Sequence, residues 1–368
     1  MSAMIDFFVQ VYHYLTAEPA WSFTRLGLFL ACIAGFVGLN AAYLVWVERK
    51  TAAYVQRRPG PMEVGPQGLF QPLADAGKLL SKQVLVPPEA DGILFRLAPV
   101  LIMTPAMMCF VALPYGSALV PANLDLGLLA LFAFASINVM ALMLGAWSSR
   151  NKFAIISAAR VVSQNIAYEI PMLLTIVTVV LMSGSLNLTE IVGRQGGWFW
   201  HWNIFQWHHN PLVVVSFLTF YICMLAETNR APFDMAESES ELVAGAFTEY
   251  AGMSFGVFFM AEYANIVIGC SLATVLFLGG WNIGLGSLLA SAPVWVATLV
   301  GLAAFFAKLY ALIFTVIWIR WTFPRTQFYG LLNLSWKILI PVALVTLWLT
   351  SFLVKAPLLL QGIKELFQ

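Results

Sequence analysis

The stretch PLVVVSFLTFYICMLAETNRAPFDMAESESELVAGAFTEYAGMSFGVFFMAEYANIVIGCSLATVLFLG, residues 211–279, holds two long apolar runs on either side of an acidic segment. About 20 mainly apolar residues cover the roughly 30 Å of a bilayer's hydrocarbon, so 211–227 and 252–279 both read as membrane-spanning helices. Across this stretch stand seven carboxylates, Glu227, Asp234, Glu237, Glu239, Glu241, Glu249 and Glu262, with Arg230 as the one basic residue among them. A charge at the centre of a membrane helix costs roughly 2.5–3.5 kcal/mol on insertion scales, and persists mainly where it carries ions, protons or substrate. The chain as a whole is 61% hydrophobic and 10% charged, so its scarce charge is concentrated here.

Outward from that block the pattern repeats. A mean hydropathy of +0.83 excludes an ordinary soluble globule, whose charged content is about 25%. Eight apolar runs, near 26–47, 94–114, 126–147, 163–183, 211–227, 252–279, 293–319 and 337–355, predict an all-α polytopic helix bundle. It forms a single integral membrane domain over 1–368, with structured loops at 48–93 and 228–250. The segment Met1–Phe23 carries Asp6, His13 and Glu18 among its aromatics and lacks a basic start, which predicts an interfacial amphipathic helix rather than a cleaved leader. Lys and Arg gather in the loops after spans 1, 3, 5 and 7: Arg49, Lys50, Arg57, Arg58, Lys78 and Lys82, then Arg150, Lys152 and Arg160, then Arg230, then Arg320 and Arg325. The other loops hold only Arg194. These odd-numbered loops are expected on the cytoplasmic face of a cell's inner membrane, with both termini opposite.

The polar residues exclude several functions. Cys32, Cys109, Cys223 and Cys270 fall inside predicted spans with no CxxC spacing, which gives neither an iron–sulfur site nor a disulfide framework. His13, His201, His208 and His209 all lie outside the spans, so no intramembrane histidine pair is available for haem, and Trp198–His209 reads as an aromatic interfacial belt. No phosphate-binding glycine motif occurs. The chain is expected to bind no metal, flavin or haem of its own.

Two loops carry chemistry. Loop 1 runs Glu48-Arg49-Lys50, then Gln56-Arg57-Arg58-Pro59-Gly60-Pro61, then Gly65-Pro66-Gln67-Gly68. Proline and glycine at this density impose a non-helical path, which near a membrane is tolerated where the loop lines a cavity or is buried in protein. The following Gly68–Gln83 stretch, with Leu69, Leu73, Leu79 and Leu80 interrupted by Asp75, Lys78 and Lys82, predicts a short amphipathic helix. In loop 5, Pro232 is expected to end the helix at Arg230-Ala231, and Ala236–Tyr250 to resume one that strings Glu237, Glu241 and Glu249 along a stripe. Glu169 before Pro171 in span 4, Glu227 closing span 5 and Glu262 in span 6 extend a polar track, with Tyr168 a hydrogen-bond candidate for Glu169 and Lys308 a candidate cationic partner.

The runs ERK (48–50), GPMEVGPQGLFQPLADAGKL (60–79), LAETNRAPFD (225–234), AESESELVAG (236–245) and FFMAEYANI (258–266) resemble one membrane component of NADH:quinone oxidoreductase, respiratory complex I: the subunit designated H in bacteria and 1 in mitochondria. The likeness runs from about Tyr43 to Pro341. It implies a membrane subunit of a proton-translocating enzyme that forms most of the tunnel by which quinone, the substrate, reaches the last iron–sulfur cluster of neighbouring subunits. FMN, NADH and the iron–sulfur clusters are implied in those hydrophilic partners, and further membrane subunits and lipid surround the chain. Carried over position by position, the resemblance assigns Arg49, Arg58, Asp75, Arg230, Asp234, Glu237, Glu239 and Glu241 to the quinone tunnel and coupling region, and Glu169, Glu227, Glu249 and Glu262 to the proton track. Two places depart from the family pattern, Lys82-Gln83 where Lys-Glu is usual and Pro324–Gly330 where PRxRxDQ is usual. They leave open which quinone is used and whether the electron donor is NADH, or the ferredoxin, F420 or hydrogen of complex I relatives. A secondary transporter is the rival of a different class, and would be expected to show two similar halves with matching broken helices. Here the acid block and the Gly/Pro loop each occur once.

Overall fold

A computed structural model describes residues 23–117, 119–206, 211–235, 242–284 and 293–366. Among them every regular element is helical. In chain order these are α1 (Phe23–Val55), α2 (Gln71–Ser81), α3 (Gly92–Ala112), α4 (Gly127–Ser148), α5 (Lys152–Ser183), α6 (Leu188–Arg194), α7 (Val213–Glu227), α8 (Gly252–Phe277), α9 (Val294–Thr322), α10 (Phe328–Leu334) and α11 (Ile340–Leu366). A π-helical turn, Ser335–Leu339, joins α10 to α11 into one rod. Seven of the described helices are long and apolar enough to cross a membrane: α1, α3, α4, α5, α8, α9 and the α10–α11 rod. The remaining predicted span is α7, an apolar helix of 15 residues, about 22 Å long at 1.5 Å per residue. The interfacial helix expected over Met1–Phe23 lies outside the described residues but for its last.

The bundle is held by one continuous apolar core. Its most extensive helix pairs are α3 with α4, α5 with α7, α5 with α11, and α8 with α3. The central helix is α8, whose last eight residues, Cys270 to Phe277, are all buried. It approaches α7 closely because Gly269 has no side chain: a Cβ there would lie 2.5 Å from Met224 Cγ. At its far end α8 breaks at Gly279 and Gly280, and the exposed carbonyls of the break are taken up by side chains. Lys308 Nζ donates to the carbonyls of Leu278 (2.6 Å), Gly280 (3.0 Å) and Asn282 (2.6 Å) and stands 3.9 Å from the centre of the Trp202 ring. Lys308 is thus a helix cap, not the partner of a carboxylate, because three backbone acceptors at a broken helix end satisfy all the donors of an ammonium.

Loop 1 has a defined path. Gln67 and Gly68 take left-handed conformations, a 3-10 turn covers Pro66–Gly68, and Trp46 Nε1 donates to the Gln67 carbonyl at 3.2 Å. The predicted amphipathic helix is α2, which packs on α8 with Leu79 against Gly256 and leaves Leu73 and Leu80 exposed.

Loop 5 differs from expectation. The helix before it stops at Glu227, ahead of Pro232, and no helix covers Val243–Tyr250. Val243 (φ 65°) and Gly245 (φ 57°) are left-handed, which an α-helix does not accommodate, and only a single 3-10 turn, Gly245–Phe247, forms. The segment is pinned instead by aromatic packing. Tyr250 stacks on Phe95 at 4.1 Å, and its hydroxyl is placed to donate to the carbonyls of Phe95 and Gly145 at 3.2 and 3.3 Å. Burial pushes that phenol up to about 12.

Candidate functional site

A cavity of about 550 Å³ lies between the end of α1, the Gly/Pro loop, α8 and α9. Its walls include Val45, Ala52, Pro59, Gly60, Pro61, Phe259 and Trp321, and its polar groups are Glu48, Arg49, Arg58, Tyr263 and Arg320. The helix α1 is 33 residues long, about 50 Å, and so carries Glu48 and Arg49 on its last two turns beyond the span proper. Consecutive helix positions point about 100° apart, which buries Glu48 and leaves Arg49 exposed.

Glu48 is the centre of a buried ion cluster. Both its oxygens lie 3.3 Å from Arg230 Nη1, Tyr263 Oη donates to Oε2 at 2.6 Å, and Arg320 Nη1 pairs with Oε1. The Arg230 guanidinium sits 4.2 Å from the centre of the Tyr263 ring. Burial alone disfavours its charge, but Tyr263, Glu48 and Glu262 outweigh burial and hold its pKa above the ordinary arginine value. Two guanidiniums thus share the Glu48 carboxylate, with Glu262 adding a second negative charge near Arg230. Around it, Arg49 pairs with Asp75 at 2.7 Å and Arg325 with Asp234 at 2.9 Å. Thr326 adds two bonds to the Pro232 carbonyl, which tie loop 7 to loop 5.

A second cavity, about 80 Å³, lies among α4, α5, α7 and α8. Glu227 and Glu262 line it together with Asn138, Asn165 and Asn265. Glu169 is half-buried and accepts from Ser136 Oγ on α4 at 3.0 Å. Tyr168, the expected partner, instead donates to the Leu331 carbonyl at 3.0 Å, because successive residues of α5 face different neighbours. Glu249 stands apart from this cavity and accepts from Asn151 Nδ2 at 2.8 Å.

The sequence-predicted residues therefore divide. Arg49 and Arg58 share the larger cavity; Arg230 adjoins it through Glu48, and Asp75 through Arg49. Glu227 and Glu262 share the smaller one. Asp234 and Glu249 are held by partners on neighbouring segments, and Glu237, Glu239 and Glu241 lie outside the described residues. Sequence reasoning missed Glu48, Tyr263 and Arg320. One signal for Glu48 was available: it falls on the same face of α1 as Val37, Ala41, Leu44 and Ala52, all buried apolar positions, and a carboxylate on such a stripe requires a partner.

Similarity to known proteins places these features in a family. A family model described as NADH dehydrogenase matches residues 28–351. The chain is 56% identical over 323 residues to the H subunit of the NADH-quinone oxidoreductase of Desulfotalea psychrophila, covering 87% of this chain and 94% of that protein. It is 41% identical over 333 residues to the protein of the same name from Carboxydothermus hydrogenoformans, covering 89% and 90%, and 42% identical over 326 residues to that of Chlorobium luteolum, covering 86% of each. With a multi-pass helical bundle and likeness over nearly its whole length, the chain belongs to the family of the NADH-quinone oxidoreductase H subunit, a membrane component of complex I.

Proposed function

We propose that this chain forms the access cavity for a quinone and couples reduction of that quinone to proton movement through the membrane. The observation that carries the reading is the 550 Å³ cavity, walled in part by the Gly/Pro loop and lined by Glu48, Tyr263 and Arg320, with Arg230 behind Glu48. An isoprenoid quinone needs an apolar passage with few polar anchors, and this wall is aliphatic and aromatic except for those groups and Arg49 and Arg58. A planar guanidinium at Arg58 suits the polar head of such a ligand. The acids Glu169, Glu227, Glu249 and Glu262 are the proton-carrying groups, and Asp234, Glu237, Glu239 and Glu241 take the coupling role. Electrons arrive from NADH through the flavin and iron–sulfur clusters of hydrophilic partner subunits, which dock on the face bearing α2 and loops 1, 3, 5 and 7. That face is cytoplasmic in an inner membrane, following the distribution of Lys and Arg.

Arg58→Ala in the intact complex tests the reading. The apparent KM for a short-chain quinone is expected to rise about tenfold, the low end of what a charge-assisted hydrogen bond contributes, with the amount of assembled complex little changed. A fall in abundance that matches the fall in activity would make Arg58 a strut between subunits instead.

A further inference from the structure

The end of α8 remote from loops 5 and 7 holds a polar assembly that the quinone and proton readings do not use. The last carbonyls of a helix have no partner within it and are satisfied by water or by capping groups. Here protein donors take that place. The Thr274 carbonyl accepts from the amides of Leu278 and Gly280 at 3.1 and 2.9 Å. The Val275 carbonyl accepts from Gln195 Nε2 at 2.8 Å, and that of Leu276 from Asn203 Nδ2 at 2.7 Å. Gln195 Oε1 is used as well, accepting from the amides of Asn203 and Gly279 at 3.1 and 3.0 Å. Lys308 completes the collar through its three bonds to the carbonyls of Leu278, Gly280 and Asn282, and Asn282 Nδ2 ties it to the Val192 carbonyl of α6 at 2.9 Å. Among the described residues no carboxylate pairs with Lys308, and Gln195 and Asn203 are buried.

An apolar layer separates this collar from the smaller cavity. On α8 the lining of that cavity ends at Leu272, and Ala273, Val275, Leu276 and Phe277 beyond it are all fully buried. Thr274, the one polar side chain among them, turns its hydroxyl onto the Cys270 carbonyl at 2.8 Å. The Phe277 ring packs on Phe217 and Phe220 of α7, with centroids 5.4 and 5.6 Å apart. Glu262 and Leu278 are thus about 24 Å apart along the helix axis.

We propose that the Lys308 collar is an electrostatic seal, which insulates the cavity of Glu227 and Glu262 from the membrane face at the far end of α8. The inference rests on the reading of those acids as proton carriers. A fixed positive charge in a narrow polar neck excludes protons and other cations. The carbonyl end of a helix carries roughly half a negative charge, so one ammonium leaves the collar positive. Because the carbonyls are held by fixed donors, the helix end needs no mobile water to satisfy it, and the aromatic layer beneath offers no group that carries a proton. The amides of Gln195, Asn203 and Asn282 do not titrate near neutral pH, so the collar holds its backbone partners without supplying a proton-carrying acid.

The intact complex in sealed vesicles provides the test, with Lys308→Gln set beside Lys308→Arg. Glutamine keeps two donors for the carbonyls and removes the charge, whereas arginine keeps both. Passive decay of an imposed pH gradient is measured without quinone, together with quinone turnover in the presence of an uncoupler and the abundance of assembled complex. Lys308→Gln is expected to assemble, to turn over quinone at the wild-type rate once uncoupled, and to pass protons about tenfold faster than wild type, the scale of one charge repulsion in partly buried surroundings. Lys308→Arg is expected to leak no more than wild type. A wild-type leak in Lys308→Gln overturns the seal, and equal leaks in the two variants overturn it too, since packing and not charge would then be the cause. Should Lys308→Gln fail to assemble, Asn282→Asp decides, because it sets a carboxylate on a residue that Lys308 already holds and so cancels the collar's charge. A faster leak there supports the proposal and an unchanged one sinks it. Glu227→Gln in parallel vesicles tests the underlying reading: wild-type protons per electron in that variant would end the proton-track reading, while the seal is judged on passive leak alone.

Discussion

Charge pairs in this chain differ chiefly in burial. Glu48 and Arg230 have side chains 9% and 5% exposed, whereas Asp75 and Arg49 are 27% and 47% exposed. Removing one partner of a buried pair costs about 3–5 kcal/mol because the other charge is left uncompensated, while an exposed pair contributes about 0–1 kcal/mol. Glu48→Gln leaves two guanidiniums, Arg230 and Arg320, without their carboxylate. It is expected to lower the thermal midpoint and the abundance of the solubilised complex markedly, and Asp75→Asn to leave both near wild type. Equal losses from the two substitutions would show that burial does not set their weight.

One wall of the larger cavity is the short Gly/Pro loop, which depends on backbone conformation more than on helix propensity. Gly68 sits at φ +73°, and a Cβ there would lie 2.4 Å from the Pro61 carbonyl oxygen. The left-handed conformation alone costs a residue with a side chain roughly 1–2 kcal/mol, and the contact with the backbone must be relieved by moving the loop. Gly68→Ala is therefore expected to displace Pro59–Pro61 from the cavity wall, raising the quinone KM and exposing loop 1 to limited proteolysis. Gly77 is the control: it lies in α2 with open space about its Cβ position, and alanine there favours the helix by about 0.5–1 kcal/mol. Gly77→Ala should leave both measurements unchanged. The helix expected over Ala236–Tyr250 shows the limit of local reading at this scale. Its spacing of acids fits a helical stripe, but Val243, Gly245 and the stacking of Tyr250 on Phe95 override it over 243–250.

At the level of the whole molecule, the four cysteines are all free thiols. Among the described residues no group of three or more metal-ligating side chains forms. The purified chain is expected to carry no stoichiometric iron, flavin or haem, checked by metal analysis and visible spectra; a redox centre at one equivalent would assign electron transfer to this chain itself. The features legible from residue order alone are those that short-range physics controls. Apolar runs located the spans, since hydrocarbon demands about 20 apolar residues in a row. Glycine and proline marked a loop with a fixed path, and leucines interspersed with charges marked α2. The stretch 225–266 showed where charge gathers, though not which charges meet. Those meetings emerged only on folding. Glu48 joins Arg230, Tyr263 and Arg320 across 182, 215 and 272 residues. Lys308 closes a broken helix, and Tyr168 faces away from Glu169. Such pairings depend on how helices far apart in the chain are rotated against one another, and that rotation is set by packing of the whole core, which no local window of sequence contains.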